Sequence, residues 1–249
     1  VSFFRSVVWN KETNRPVSVA PPKSMDSVHL ETDVTANVRV TEFVEGTMIQ
    51  AWREADDQPC QIATRTSLNA VGSFYSKRSF AELLDETLAP QGGFQNFLDS
   101  TLVAGTFVSL VLRHKEHRTV APIPFNRLFV TCYGSVSDGM ATMNVDADTW
   151  PDTLRGYAPP LYEIDARCAA EFVDAESKAR GFTWQGIMLQ AGLLRWSMRN
   201  PAYTFVRTLR GADSSAAARF LRLRASGQMK QYLTYFREES NDMWNYEQK

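Results

Sequence analysis

Hydrophobic and polar positions alternate along the first quarter of the chain, and this period of two is typical of half-buried β-strands. The alternation predicts strands over residues 2–9, 15–20, 38–43, 47–53 and 61–66. The polar segment 10–14 separates the first two, and Glu45-Gly46 is expected to close a hairpin between the strands on either side of it. The pattern therefore indicates an antiparallel meander.

Helical signals follow the meander. The sequence from Ser79 to Glu82 has the form of a capping box, which predicts a helix that continues to Leu88. Strand patterns rich in Val, Phe and Leu return over residues 105–113 and 127–133. A second helix is expected over residues 165–180 and is ended by Gly181. The chain is therefore predicted to belong to the α+β class, with an antiparallel sheet.

The last part of the chain changes from strands to helices. Two more strands are expected over residues 182–189 and 193–199, and helices are expected over residues 200–211, 213–225 and 228–236. Asn200 and Pro201 supply an N-cap and a first-turn proline. Asp213 is expected to cap the helix that follows.

The change from strands to helices also suggests where the chain divides. We place the boundary at Asn200, which gives an N-terminal domain of residues 1–199 and a helical C-terminal region of residues 200–249. The strands after Phe182 need the earlier sheet as a pairing partner, and this favours the later boundary. The Pro-rich segment 157–161 is the alternative.

Composition places few limits on function. The chain has 249 residues, 44% hydrophobic and 22% charged, with a net charge of -1, so no global field attracts nucleic acid or an anionic membrane. Its three cysteines have no C-x-x-C spacing, which argues against a disulfide framework and a zinc site. No apolar run suggests membrane insertion, and no signal-peptide pattern suggests secretion. A reducing compartment is expected.

Seven short segments occur in an order that resembles a known family. They lie at residues 5–8, 19–23, 43–47, 63–67, 111–120, 185–188 and 195–199. In this order they resemble the motifs of the phage-type RNA ligase 1 family of covalent nucleotidyltransferases, over about residues 2–200. The sequences of 42–49 and 199–203 are also similar to ligase-like proteins of large double-stranded DNA viruses. The resemblance implies an RNA-ligase-like nucleotidyltransferase fold.

The resemblance also implies a catalytic lysine, and Phe43 stands at its position. In the family, that amine attacks the α-phosphate of a nucleotide, which a phenyl ring cannot do. Three further positions lack the functional residue of the family. Val111 stands where the family has an acidic residue, Gln185 where it has a glutamate, and Ser197 where it has a lysine. Arg65 and Arg199 keep a positive charge where the family has lysine. We therefore expect no catalytic residue, and a pseudoenzyme.

Arginine is concentrated near the C-terminal end. Residues 195–224 contain seven arginines and one acidic residue, Asp213, which indicates a local cationic surface. Its arginines bind phosphate or nucleic acid, bind a protein partner, or only solvate a helix, and the sequence leaves these alternatives open. The candidate binding residues along the whole chain are Arg5, Lys23, Arg65, Arg199, Arg207, Arg210, Arg219, Arg222 and Arg224.

These observations lead to one functional hypothesis and two alternatives. We expect a non-catalytic protein that is a structural or assembly component of a large DNA virus, such as a minor capsid protein. It would lie in the virion or host cytoplasm, contact other viral structural proteins and need no cofactor or metal. His114 and His117 are expected to be solvated loop residues. The alternatives are an ATP-dependent RNA ligase whose nucleophile is displaced to Lys23, and a module that binds RNA or nucleotide through Arg5, Arg65 and Arg199.

Overall fold

The computed structural model describes residues 6–26 and 38–248, and it is α+β as expected. A five-stranded antiparallel sheet forms the larger half, in the order β6-β5-β7-β8-β9. Its strands are β5 (Thr47–Arg53), β6 (Gln61–Thr64), β7 (Thr106–Arg113), β8 (Arg127–Ser137) and β9 (Met140–Asn144). The central strand β7 is buried along almost its whole length, because both faces of the sheet are covered.

Different elements cover the two faces of this sheet. Helices α1 (Phe80–Thr87) and α2 (Gly93–Thr101) pack their leucines and phenylalanines on one face. The hairpin of β1 (Val7–Asn10) and β2 (Arg15–Val19) covers the other face, around Trp52 and Phe107. The predicted capping box is confirmed, since Ser79 and Glu82 each accept a hydrogen bond from the other's backbone. Helix α2 and strand β9 were not predicted.

A second sheet lies beside the first, in the order β3-β11-β10-β4. Its strands are β3 (Met25–Asp26), β4 (Arg39–Glu42), β10 (Gly186–Ala191) and β11 (Leu194–Arg199). Helix α4 (Ala169–Arg180) packs on one face through Ala169 and Val173, against Val40, Ile187 and Leu189. The opposite face, which carries Met188 and Gln190, turns toward the first sheet.

The predicted hairpin at Glu45-Gly46 is wrong. Strand β4 pairs with β10 in the second sheet, whereas β5 pairs with β6 and β7 in the first. Residues 43–46 therefore carry the chain from one sheet to the other. A β-carbon on Gly46 would lie 2.7 Å from Val111 Cγ1 and would overlap the carbonyl group of Leu112, so only glycine permits this crossing.

Helices form the C-terminal end: α5 (Pro201–Arg210), α6 (Ala216–Ala225), α7 (Met229–Tyr235) and α8 (Ser240–Glu247). A short helix α3 (Asp152–Arg155) lies earlier in the chain. The predicted N-cap of α5 is confirmed, because the Asn200 side chain accepts from the Ala202 N–H at 2.8 Å. The predicted cap of α6 is wrong: Ser215 caps it, and Asp213 binds Arg222 instead. The division into two domains at Asn200 stays a prediction.

Buried arginines join these helices to the rest of the protein. The Arg210 guanidinium lies between the rings of Tyr75 and Phe236, 4.3 Å from each centroid. Tyr75 belongs to the loop before α1, so this stack connects the helical end to the first sheet's covering helices. Both Arg210 and Arg219 form salt bridges to Glu239 at 3.0 Å. One carboxylate therefore serves two buried cations.

We expect Glu239→Gln to destabilise the protein by about 3–5 kcal/mol, because it leaves the buried guanidinium groups of Arg210 and Arg219 without a counterion. Glu247→Gln is the matched control, because it removes the partner of the exposed Arg224 and should cost about 1 kcal/mol or less. Urea unfolding of the two variants measures both values. Equal losses of stability would contradict the assignment of Glu239 as the shared counterion.

Candidate functional site

A cleft of about 140 Å³ lies between the two sheets, at the point where residues 43–46 cross from one to the other. Thr41 and the strand pair β10 and β11 form one wall, through Met188, Gln190 and Arg195. Met48, Val111 and Thr131 of the first sheet form the opposite wall, and Trp150 and Pro159 close one side. The lining mixes apolar side chains with polar and charged ones, among them Glu42 and Arg39, and a small-molecule site likewise combines apolar walls with converging polar groups.

Phe43 lies in this cleft and is held by its backbone. Its N–H donates to the Gly186 carbonyl at 2.9 Å, which fixes the crossing segment against β10. The guanidinium group of Arg199 lies 4.9 Å from the centre of the Phe43 ring. At 4.9 Å this is a cation–π contact, and it covers the ring with positive charge.

The two acidic residues that flank this position have structural partners. The carboxylate of Glu45 accepts hydrogen bonds from the N–H groups of Val120 and Ala121, at 2.6 and 3.1 Å. Burial raises the pKa of Glu45 above its ordinary value, although these two hydrogen bonds oppose the rise. Glu42 accepts from Tyr162 and Arg180. Glu45 therefore anchors a loop and does not face the cleft.

The other positions singled out by family resemblance are scattered. Val111 packs with Val44 and Phe129 in a small apolar cluster at the cleft. Gln185 is buried and lies outside the cleft lining, as does Ser197, whose hydroxyl donates to the Met25 carbonyl at 3.5 Å. Arg65 lines a separate cavity of about 290 Å³ with Thr47, Thr64 and Phe80. Only Phe43 and Val111 therefore meet in the cleft.

The candidate binding residues divide into exposed and buried groups. Arg5 lies outside the described residues. Lys23, Arg65, Arg199, Arg207 and Arg224 are exposed, and Arg222 is half-buried. Arg210 and Arg219 are buried in the network around Glu239, so the prediction of one cationic surface is wrong for them.

Arg222 and Arg224 also have partners within the helical end. Arg222 donates to Asp213 and to the carbonyls of Leu209 and Arg210, where it caps the end of α5. Arg224 forms a salt bridge with Glu247 at 3.3 Å. Much of the arginine excess is therefore neutralised inside the helical end.

Several residues that line the cleft were not identified by the sequence analysis. Arg39, on β4, forms a salt bridge with Asp146, which follows β9, so this pair spans the two sheets at one end of the cleft. Gln190 is a buried polar residue in an otherwise apolar strand, and Met188 lies on the same face two residues earlier. That polar interruption was the available signal for Gln190, whereas the pairing of Arg39 with Asp146 depends on the fold.

The prediction that His114 and His117 are solvated loop residues is wrong. His114 and His117 are both buried. Burial is the main cause that lowers the pKa of His117 to about 4, and its Nε2 lies 2.9 Å from the Thr47 hydroxyl. Within residues 6–26 and 38–248, no three His, Cys, Asp or Glu side chains are placed to hold a metal ion. The same residues include no helix long and apolar enough to cross a membrane.

Comparison with known proteins identifies the fold. No protein-family model and no curated protein matches the sequence. An archaeal ATP-dependent RNA ligase, form 1, has a TM-score of 0.51 and 14% identity, covering 95% of this chain and 69% of that one. Its form 2 has a TM-score of 0.51 and 12% identity, covering 93% and 68%. A mutant RNA ligase of Naegleria gruberi with ATP and Mn has a TM-score of 0.48 and 12% identity, covering 76% and 58%.

These similarities correct the prediction that this chain is not an enzyme. Solved structures that share its fold are described as ATP-dependent RNA ligases, so the fold gives no support to the prediction of a pseudoenzyme. The phenyl ring of Phe43 cannot act as a nucleophile. This says nothing against the other side chains around the cleft as nucleophiles. The chain has the antiparallel nucleotidyltransferase fold of the RNA ligases.

Proposed function

We propose that this chain binds a nucleotide, or the terminal nucleotide of an RNA strand, in the cleft between its two sheets. The observation that carries the proposal is the cleft itself, which opens where the crossing segment, β7 and β10 meet. Apolar side chains such as Met48 and Met188 suit the faces of a base, and Thr41, Thr131 and Gln190 offer hydrogen bonds to its edge.

The cleft must widen before it accepts a nucleotide. Its volume of about 140 Å³ is below the roughly 300–1,000 Å³ of typical ligand sites. The salt bridge between Arg39 and Asp146 joins the two sheets at one end, and the side chain of Asp146 is 49% exposed. An ion pair so exposed contributes about 0–1 kcal/mol to the stability of the protein. The binding energy of a ligand therefore suffices to break it.

We expect Gln190→Leu to weaken ATP binding about tenfold, because the ligand then loses one hydrogen bond in a buried wall. Gln185→Leu is the control, since both glutamines are 7% exposed and only Gln190 lines the cleft. Isothermal titration calorimetry of the two variants and the unmodified protein gives the three affinities. An equal loss in both variants would move the site away from the cleft, and no ATP or RNA binding by the unmodified protein would refute the proposed function.

A second candidate function is nucleotidyl transfer by a displaced lysine, Lys23. The observation in its favour is that Arg195, a cleft residue, donates to the carbonyl of Pro22 at 3.3 Å. Lys23 is the next residue, and its side chain is exposed. Its amine would attack the α-phosphorus of ATP, form a P–N bond, lose a proton to water and release pyrophosphate.

If Lys23 is the nucleophile, the protein incubated with ATP and Mg²⁺ or Mn²⁺ gains the mass of AMP, and Lys23→Arg abolishes that gain. Phe43→Lys is the matching variant. Its new amine would lie beside the Arg199 guanidinium, which disfavours the protonated amine and so activates it. Intact mass spectrometry measures the mass gain of the unmodified protein and of the two variants, Lys23→Arg and Phe43→Lys. An adduct that persists in Lys23→Arg would exclude Lys23.

An assembly role in a large DNA virus is a separate proposal, supported by resemblance of the sequence to viral ligase-like proteins. The helical end offers a contact for other structural proteins, because Trp244 and Leu221 are both 64% exposed and tryptophan is a frequent interface anchor. We expect this protein at a fixed copy number in purified particles, measured by quantitative mass spectrometry. Its absence from particles, with abundance in the host cytoplasm, would contradict a place in the virion.

A further inference from the structure

Two arginines face each other at one end of the five-stranded sheet. Arg113 ends β7, Arg127 begins β8, and the antiparallel register pairs them directly. Side chains that are directly opposite in such a pair lie on the same face of the sheet, with β-carbons about 4.5–5.5 Å apart. Two like charges in this position destabilise the sheet, and an anion bound between them would remove that cost.

The described residues do not neutralise this pair. Neither Arg113 nor Arg127 forms a salt bridge with any of them, and the buried Arg113 Nε has no acceptor among them. Glu45 attracts Arg113, but its oxygens accept from the N–H groups of Val120 and Ala121. Buried donors without partners are rare in folded proteins, and a bound ligand is one way to satisfy them.

A cavity of about 320 Å³ lies beside Arg127. It is enclosed by the end of α1 at Thr87, the start of β8 and the segment 156–160. Among the described residues that line it, Arg127 is charged and none is acidic, while Gln91 and Asn126 offer amide groups. Typical ligand sites have volumes of roughly 300–1,000 Å³, so this cavity is large enough for a small organic anion.

Two phenyl rings hold the guanidinium group of Arg127. Its Cζ lies 5.4 Å from the centroid of the Phe125 ring and 5.3 Å from that of the Phe129 ring. At these distances both are cation–π contacts, which place the cation without using its N–H groups. Phe129 is buried, whereas Phe125 is 55% exposed. An accessible ring therefore lies next to a guanidinium group whose hydrogen-bonding capacity is unused.

We propose that Arg113 and Arg127 bind one oxyanion between them, and that a planar ring attached to the oxyanion packs on Phe125. Guanidinium groups suit such an anion because they donate two parallel hydrogen bonds to its oxygens. The ligand class is therefore an aromatic phosphate ester or an aromatic carboxylate. The site is separate from the nucleotide proposed for the cleft and does not rest on it. Arg127 lies outside all the family-like segments, and the resemblance assigns no role to Arg113.

The experiment uses small probes of known chemistry. Phenyl phosphate, benzoate, inorganic phosphate and the neutral benzyl alcohol are titrated into the full chain, and binding is followed by NMR chemical-shift changes. The variants are Arg127→Gln and Phe125→Ala. Arg167→Gln is the control, because it removes the same charge from an exposed arginine that pairs with Asp165.

We expect Arg127→Gln to weaken the binding of phenyl phosphate about tenfold, because a charge-assisted pair of hydrogen bonds is lost. Phe125→Ala should lower the affinity for phenyl phosphate to that for inorganic phosphate, since it removes only the contact with the ring. Benzyl alcohol should not bind, and Arg167→Gln should bind every probe as the unmodified protein does. Arg127 and Phe125 are both exposed, so their replacement does not threaten folding.

A second measurement tests the repulsion between the two arginines without any ligand. Arg127→Glu places an opposite charge across from Arg113, whereas Arg127→Gln places none and has nearly the same size. Both variants lose the contacts with Phe125 and Phe129, so the difference between them reports the charge alone. In phosphate-free buffer we expect Arg127→Glu to have the higher melting temperature. An equal or lower value would show that Arg113 and Arg127 do not face each other, and would overturn the proposal.

Competition separates this site from the cleft. Ala158 lines both cavities, so the competitor is adenosine, which carries no phosphate. Displacement of phenyl phosphate by adenosine would mean that the two cavities hold one ligand, and would overturn the separate site. Independent binding of the two would support it.

The probes also identify the anion. Tighter binding of phenyl phosphate than of benzoate would identify a phosphate ester as the ligand, and the reverse order would identify a carboxylate. Equal affinity of Arg127→Gln and Arg167→Gln for phenyl phosphate would refute the oxyanion site. Failure of every probe to bind would refute it as well, and would leave the nucleotide site proposed for the cleft untouched.

Discussion

The crossing of the chain at residues 43–46 is the constraint on which the site depends. Gly46 passes so close to Val111 and Leu112 that a side chain there would displace β7 from its place in the sheet. Glu45, next to it, holds the loop at Val120 and Ala121 through two backbone hydrogen bonds. The first residue of the segment, Phe43, is fixed to β10. Four consecutive residues therefore set the distance between the two sheets and the width of the cleft.

Electrostatics divides the arginines of this protein into two populations. Arg210 and Arg219 are buried, stacked on aromatic rings and paired with Glu239, so they hold helices together. Arg199 and Arg207 are exposed, and Arg199 lies over the ring of Phe43 in the crossing segment. Residue type and local sequence do not distinguish these populations. The distinction comes from which arginines the C-terminal acids reach after the chain folds back.

Much of the strand pattern was predictable from the sequence, but the pairing of strands was not. Alternation located β5, a segment rich in Val, Phe and Leu located the first part of β8, and the residue pair Asn200-Pro201 located the start of α5. The turn signal Glu45-Gly46 predicted a hairpin because a glycine that permits a tight turn looks the same in sequence as one that permits a close approach. Helix α2 starts at Gly93, after Gly92, where helix propensity is poor. Resemblance singled out Phe43, which the structure places in the cleft. Arg39 could not be found in this way, because its partner Asp146 lies far along the chain.

The sharing of Glu239 by Arg210 and Arg219 has a consequence for how the C-terminal end unfolds. Helices α5 and α6 each supply one arginine, and the carboxylate lies between α7 and α8. Detachment of α8 with its preceding turn would expose the carboxylate and leave a cation behind on each of two other helices. Such a partly opened form is costly, so the helices separate from the sheets together or not at all. The shared carboxylate therefore couples the opening of α5 and α6 to that of the turn before α8.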